Sequence, residues 1–133
     1  MTTLSRSQHA NGKIINISLW IAQVIVAGMF LMAGFMKTFT PIQELAPTMP
    51  LAQELPVLTR FIGIVELLGA IGVILPYALK IAPKLTVWAA AGLTLTMVLA
   101  LLYHVFRGEI AASAFPIILA LLSGFITWGR QRE

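Results

Sequence analysis

The sequence predicts an all-α membrane protein, a four-helix bundle with both termini in the cytoplasm. Hydrophobic residues make up 59% of the 133 residues, charged residues make up 11%, and the mean hydropathy is +0.91. These values lie outside the range of soluble domains. Four apolar runs are each 19 to 23 residues long, and a helix crosses a bilayer with about 20. None of the runs alternates with period two, so helices are expected rather than barrel strands.

The first element is a span over residues 14–37. Because it follows a basic tail, a cleaved signal peptide is the alternative, but the apolar core exceeds a signal core of about 7 to 15 residues. No small-x-small cleavage site follows it either, which favours a retained span. One face of this helix holds four residues at helical spacing: Gln23, Phe30, Gly34 and Lys37. That face therefore carries polar side chains next to the space left by a glycine.

The connection over residues 38–56 is predicted to be an outer loop. Its stretch "PIQELAPTMPLAQELP" contains four prolines and a quasi-repeat. The prolines limit helix length, and the mixed apolar and polar residues suit one or two short turns along the membrane surface. Two interpretations remain open, a connector that shields the bundle and a lid over a pocket.

The second span, residues 57–75, holds a single carboxylate in an apolar run. Glu66 shares a helix face with Gly63, Gly69 and Ala70, and membrane helices approach closely along such small residues. Since a charge facing lipid at mid-membrane costs several kcal/mol, Glu66 is expected to face the bundle interior. It is a candidate functional residue, and a purely structural interhelical hydrogen bond is the alternative.

The third and fourth spans cover residues 85–104 and 110–128. The third carries Thr94, Met97 and His104 on one face. In the fourth, Ala120 and Gly124 are four residues apart, which permits close contact either within the bundle or in a homo-oligomer.

The distribution of lysine and arginine predicts the orientation. Six cations fall on the side of the termini: Arg6, Lys13, Lys80, Lys84, Arg130 and Arg132. Three fall on the other side: Lys37, Arg60 and Arg107. By the positive-inside rule both termini are cytoplasmic. We therefore expect a multi-pass protein embedded in the lipid bilayer of the cell (inner) membrane. The net charge of +4 then reflects topology, and no nucleic acid partner is expected.

Helix spacing further predicts a pocket that opens outward. Its floor is the Glu66 carboxyl, with Phe30 and Thr94 at nearly the same depth. The candidate pocket residues are Glu66, His104, Lys37, Arg60, Thr94, Phe30, Gln23, Arg107 and Glu109.

Several of these residues have plainer interpretations. Arg60 lies about 240° around the helix from Glu66, so the two do not form a simple pair within it. Arg60 is instead expected to reach the interface and meet Glu54 or Glu109. The cations at span ends are membrane anchors by default.

The residue types also exclude some chemistry. The chain has no cysteine, which excludes a disulfide scaffold, a thiol relay and an iron–sulfur cluster within it. Its two histidines, His9 and His104, fall on opposite sides of the membrane, so no paired-histidine haem site is expected. No metal site is predicted.

The segments "AGFMK" (33–37), "FIGIVELLGAIGVILP" (61–76) and "HVFRGE" (104–109) together resemble the DoxX-like family of small four-helix membrane proteins. The resemblance covers residues 19–130, and its specific part is the G-x-x-E-L-x-G-A-x-G core at residues 63–72. It implies that Lys37, Glu66, His104 and Glu109 occupy the family's recurring polar positions. It also implies a link to membrane oxidoreductase complexes, because the family is named for a subunit associated with thiosulfate:quinone oxidoreductase.

Three function classes follow. The first is an accessory or quinone-handling subunit of a membrane oxidoreductase complex, in which Glu66 and His104 hydrogen-bond a quinone and exchange protons. Redox-complex subunits would be its partners and would supply the electrons. The second class is a binding or assembly module for membrane proteins, and the third is a small-molecule enzyme or transporter that uses the outward pocket. A retained quinone would favour the first class, and a stoichiometric protein partner without a ligand would favour the second.

Overall fold

The computed structural model describes residues 2–132, with side chains from residue 12 onward. Arg6 and His9 of the tail lie outside the described side chains. The elements are α1 Thr2–Phe39, α2 Ile42–Leu45, α3 Pro50–Glu54, α4 Pro56–Ala78, α5 Pro83–Phe106, a 3₁₀ turn Ala111–Ser113 and α6 Ala114–Gln131. Four segments are long and apolar enough to cross a membrane: Gly12–Phe39, Pro56–Ala78, Pro83–Phe106 and Ala111–Gln131. The all-α class with four membrane-capable helices is therefore confirmed.

The four long helices form a closed bundle in which each packs against two neighbours, in the order α1, α4, α5, α6. The helices alternate in direction, so α1 starts and α6 finishes at the same end, called the proximal end here. The connections at residues 40–55 and 107–113 lie at the opposite end, called the distal end. Large apolar side chains such as Val24, Ile71, Leu95 and Leu121 are exposed on the outer surface, which suits contact with lipid.

Two glycines let α1 and α4 approach closely in the distal half. A Cβ added at Gly34 would lie 2.8 Å from the Gly63 carbonyl oxygen and 2.9 Å from the Leu67 amide nitrogen. A Cβ added at Gly63 would lie 2.7 Å from the Cβ of Lys37. Small residues are what such a crossing requires. The glycine pair thereby brings Lys37 directly against α4.

In the proximal half, neighbouring helices satisfy a carbonyl that a proline leaves free. Pro76 has no N–H to donate to the carbonyl of Gly72. The Thr86 hydroxyl of α5 donates to that oxygen at 3.0 Å, and the Gln23 amide of α1 donates to the next carbonyl, that of Val73, at 2.7 Å. Proline is tolerated in membrane helices where side chains supply such replacements. These bonds tie α4 to both neighbours.

The middle of the bundle is an apolar core. Its most buried members are Val26, Phe30, Val73, Ala90, Leu93 and Ile126. Because lipid tails are as apolar as these side chains, close packing rather than transfer from water holds such a core together. The core closes the bundle between the two ends, where the polar side chains gather.

The connection at residues 40–55 folds into two short helices, as its prolines predict. The helices α2 and α3 contain four and five residues. Pro50 is the first residue of α3, where its missing N–H breaks no helical hydrogen bond. Leu45 and Ala52 are buried, so the connection packs onto the distal end instead of extending away from it.

Candidate functional site

A cavity of about 600 Å³ lies at the distal end between α4 and α5. Residues 48–51 of the connection cover it. The walls are mostly apolar, with Leu58, Phe61, Ile62 and Val65 from α4 and Met97, Leu99, Ala100 and Tyr103 from α5. A concave apolar site with a few polar groups is the usual form of a small-molecule site.

The position of the cavity follows from how α4 and α5 pack along their length. In the proximal half, Gly69 faces Leu93 and Gly72 faces Ala89 at close range. In the distal half the cavity separates the two helices. Two lining residues, Phe61 and Leu99, are also 62% and 58% exposed on the outer surface. The cavity therefore borders the surface that faces lipid.

The floor of the cavity is an ion pair between α1 and α4. Lys37 Nζ donates to Glu66 Oε1 at 2.6 Å, and the Glu66 side chain is fully buried. The two side chains converge because Cα–Cβ bonds tilt toward the N-terminus of a helix. Since α1 ends at the distal end and α4 begins there, Lys37 leans into the bundle and Glu66 leans toward the distal end. Lys37 is thus directed inward, unlike a lysine that anchors a span end at the surface.

Glu66 has a second oxygen without a partner among the described residues. Its Oε2 atom is buried and accepts no hydrogen bond from them. A buried acceptor left unsatisfied costs about 1–3 kcal/mol, and more when it is charged. Glu66 lines the cavity but exposes none of its surface, so a small side-chain movement would bring this oxygen to a molecule that donates an N–H or O–H there.

A charged cluster forms the rim of the cavity. Arg107 donates from Nη1 to Glu54 Oε1 at 2.7 Å and from Nε to Glu109 Oε1 at 3.0 Å. His104 Nδ1 lies 3.6 Å from the same Glu109 oxygen. The hydrogen bond to Glu54 raises the pKa of the Arg107 guanidinium above its usual value. Because Glu54 belongs to α3, the cluster ties the covering connection to the end of α5.

Arg60 caps α1 and does not line the cavity. Its Nη1 donates to the carbonyls of Lys37 and Thr38 at 3.0 and 2.9 Å. These are carbonyls at the end of a helix, which lack helical partners and attract cations. The described hydrogen bonds of Arg60 go to these carbonyls and not to Glu54 or Glu109, the contacts expected from the sequence. Arg60 thus fixes the helix end that carries Lys37.

The structure brings together part of the predicted pocket. Lys37, Glu66, His104 and Glu109 all line the cavity, and Arg107 joins two of its rim residues through the contacts described above. These four lining residues come from three different helical segments and the turn after α5.

Three predicted pocket residues lie elsewhere. Phe30 is packed in the core, and the Thr94 hydroxyl donates to the carbonyl of Ala90 in its own helix at 2.8 Å. Gln23 lies 14 residues before Lys37 on α1, which is about 21 Å along a helix. Helical spacing groups residues by face, but it does not restrict a site to one depth.

Two parts of the cavity were not predicted from the sequence. Tyr103 and Thr96 line the wall on α5, and residues 48–51 form the cover. Along α5, the steps from Thr96 to Ala100 and from Ala100 to Tyr103 are four and three residues, so the three residues share a helix face. This spacing was a signal for the α5 wall. No local signal in the connection shows which of its residues face the bundle.

The proximal end holds a polar network that was also missed. Arg130, read as a topology charge, is buried and donates to Gln23 Oε1, Asn16 Oδ1 and the Tyr77 hydroxyl oxygen, each at 2.8 Å. Its guanidinium carbon lies 4.0 Å from the centroid of the Tyr77 ring. The missed signal is a helical spacing in α6. The residues of its buried face follow at steps of four, three and four: Leu119, Ser123, Ile126 and Arg130.

The chemistry of the distal cavity follows from its floor and walls. An ammonium donor and a carboxylate acceptor stand side by side at one end of an apolar space. Such a site can bind a molecule with an apolar body and neighbouring donor and acceptor groups, and it can exchange a proton with it. Among the described residues, no group of three or more His, Cys, Asp or Glu side chains could hold a metal ion.

Comparison with known proteins identifies the family. The model of the DoxX-like family matches residues 21–126, a range that contains the cavity floor, its walls and its rim. Neither the curated proteins nor the solved structures gave a significant match. With four membrane-capable helices and a family match over most of its length, the chain is a multi-pass membrane protein that belongs to the DoxX-like family.

Proposed function

We propose that the protein binds a lipid-soluble quinone or quinol in the distal cavity and acts as a quinone-handling accessory subunit of a membrane oxidoreductase complex. One observation carries this proposal. The Glu66 Oε2 atom is buried without a hydrogen-bond partner among the described residues, and Glu66 lies beside Lys37 at the floor of an apolar cavity. Glu66 can accept a hydrogen bond from a quinol hydroxyl, and Lys37 can donate one to a quinone carbonyl. The floor therefore suits both redox forms.

The walls support a lipid-soluble occupant. The rings of Phe61 and Tyr103 line the cavity and offer faces for stacking against a flat ring. Exposed lining residues such as Leu99 give the cavity a border with lipid. A ligand with an apolar tail can leave the tail among the lipids while its ring reaches the floor. A water-soluble substrate would gain nothing from this border.

The rim gives the site a route for protons. The side chains of His104 and Glu109 line the cavity and are 25% and 32% exposed. In the proposed role they exchange protons with water on the distal side, and Glu66 and Lys37 hold protons at the floor. A quinone supplies two-electron chemistry when bound. The electrons come from a partner subunit in this proposal, because the chain has no cysteine with which to hold an iron–sulfur cluster.

The proposed setting is the cell (inner) membrane with both termini cytoplasmic, which makes the distal side external. The support is the excess of lysine and arginine at the proximal end. The distal cavity and its rim would then exchange protons with the external side.

The test compares ligand binding by wild type, Glu66→Gln and Thr94→Val. Thr94 is the matched control, since it lies on a neighbouring helix and its hydroxyl is bonded to its own helix. Each protein is purified in mild detergent, retained quinone is extracted and quantified, and thermal unfolding is measured with and without decylubiquinol. A ligand at 100 times its Kd raises the stability of wild type by about 2.7 kcal/mol.

Glu66→Gln should fold normally, because the amide keeps the size and a hydrogen-bonding oxygen. Its affinity for the quinol should fall by about tenfold, because a hydrogen bond to a charged acceptor contributes about 1 kcal/mol more than one to a neutral amide oxygen. Thr94→Val should bind as wild type does. Wild-type binding by the Gln variant would leave Glu66 as a structural residue. A stoichiometric protein partner with no retained quinone would reject the proposal in favour of an assembly module.

A further inference from the structure

A second cavity, of about 750 Å³, lies at the proximal end beside the turn between α4 and α5 and the last residues of α6. We propose that it binds the phosphate of an anionic phospholipid headgroup. The cavity is lined by Tyr77, Lys80, Lys84, Trp88 and Arg130, among others. The proposal is independent of what the distal cavity binds.

The charge of the cavity lining favours an anion. Among residues 12–132, the lining contains three cations and no carboxylate. The carboxylates of the described residues all belong to the distal half of the bundle: Glu44, Glu54, Glu66 and Glu109. Arg130 is buried and is held in place by hydrogen bonds to Gln23 and Tyr77. The wall therefore carries a fixed cation, and two lysines stand at the edge.

The residues on the α5 side of the cavity place it at the level of the lipid headgroups. Lys84 and Trp88 are four residues apart in α5 and so share a helix face. Trp88 is 73% exposed, and exposed tryptophans near the ends of membrane helices lie at the interface. A lysine on the same face, one turn nearer the helix end, reaches the phosphates of that interface.

The apolar part of the lining favours a lipid over a free anion. Besides its cations, the cavity is lined by Ala82, Pro83, Val87 and Trp88. These apolar groups can contact the glycerol and upper acyl chains of a lipid, and a soluble phosphate gains nothing from them. The first residues of α5 belong to the wall, so the positive end of that helix dipole adds to the attraction for a phosphate.

The experiment measures lipid binding to two double variants that lose the same charge. Lys80→Asn with Lys84→Gln removes the cavity lysines. Asparagine is chosen because Lys80 has a φ of 56°, which asparagine tolerates well. Lys13→Gln with Arg132→Gln is the matched control, because both residues are exposed and proximal and neither lines the cavity.

Binding of phosphatidylglycerol and of phosphatidylcholine is measured by native mass spectrometry on detergent-purified protein. Wild type should retain one phosphatidylglycerol molecule in preference to phosphatidylcholine. Affinity should fall by about thirtyfold in the cavity variant, from the loss of two lysines near a phosphate. The control variant should lose clearly less. Thermal unfolding in phosphatidylcholine alone verifies that the cavity variant still folds.

Three results would overturn the proposal. Equal losses in the two double variants would mean that diffuse surface charge attracts the lipid. Equal binding of the two lipids by wild type would remove the preference for an anionic headgroup. Displacement of the retained lipid by millimolar inorganic phosphate would assign the cavity to a soluble anion.

Discussion

Replacing Gly34 by alanine is expected to push α1 away from α4 and disturb the floor of the distal cavity. The new Cβ would lie 2.8 Å from the Gly63 carbonyl oxygen, whereas ordinary contact begins at 3.4 Å, so the helices must separate there by about 0.6 Å. The obstructing oxygen belongs to the backbone, so no rotamer change relieves the clash. Overpacking of this kind costs about 1–3 kcal/mol. The same separation strains the 2.6 Å contact between Lys37 and Glu66.

Gly28→Ala is the matched control on the same helix. A Cβ at Gly28 meets no atom of the described residues within 4 Å, and alanine favours a helix over glycine by about 1 kcal/mol. Thermal unfolding of both variants is measured in one detergent. The midpoint of Gly34→Ala should lie below that of wild type by about 4 °C or more, and the midpoint of Gly28→Ala should not be lowered. Ligand affinity at the distal cavity should fall in that variant as well. Equal midpoints for the two alanine variants would refute the argument that glycine sets this helix contact.

Three further outcomes are expected. Lys37→Met should lower the free energy of unfolding by about 3 kcal/mol, because it leaves a buried carboxylate unpaired. Adding Glu66→Leu should recover part of that stability. Strictly additive losses in thermal unfolding would show that the two residues do not interact. A cysteine at Gln53 should react with a membrane-impermeant thiol reagent in intact cells while one at Gln131 stays protected until lysis, and labelling at Gln131 would reverse the proposed orientation. A cysteine at Ala120 should not crosslink two copies in native membranes, because Ala120 packs against the bundle's own core; a crosslink would instead support a homodimer through α6.

The spans could be predicted from the sequence because hydropathy acts over about 20 residues at a time. Their ends could not be placed as well. The predicted span 57–75 stops short of α4, which runs over Pro56–Ala78, and 85–104 is shorter than α5, Pro83–Phe106. Helical hydrogen bonds continue past the apolar stretch until a turn residue ends them, here Lys80 and Gly108 with positive φ.

The candidate site was harder to predict, since it depends on contacts between distant segments. The small residues around Glu66 correctly placed it in the interior. The direction of Lys37 was not predicted, because a lysine at a span end normally reaches toward water. Only the contact between Gly34 and Gly63, and the opposite directions of α1 and α4, bring the ammonium to the carboxylate.

Arg130 shows the same limit more strongly. Its partner Gln23 lies 107 residues earlier in the chain. Charge counting treats every arginine near a membrane surface alike, whereas burial depends on which helix face meets which neighbour. The network around Arg130 can therefore be identified only from the packing of α6 against α1.

The pair of Lys37 and Glu66 has an electrical consequence. The two groups are within hydrogen-bond distance, and their formal charges sum to zero whether the shared proton sits on nitrogen or on oxygen. A lone charge carried across a membrane potential of 100 mV changes its energy by about 2.3 kcal/mol, but a neutral pair at one depth changes hardly at all. When an uncharged molecule binds beside this pair, no net charge moves through the field. Occupancy of the distal cavity should then be the same in energised and de-energised vesicles.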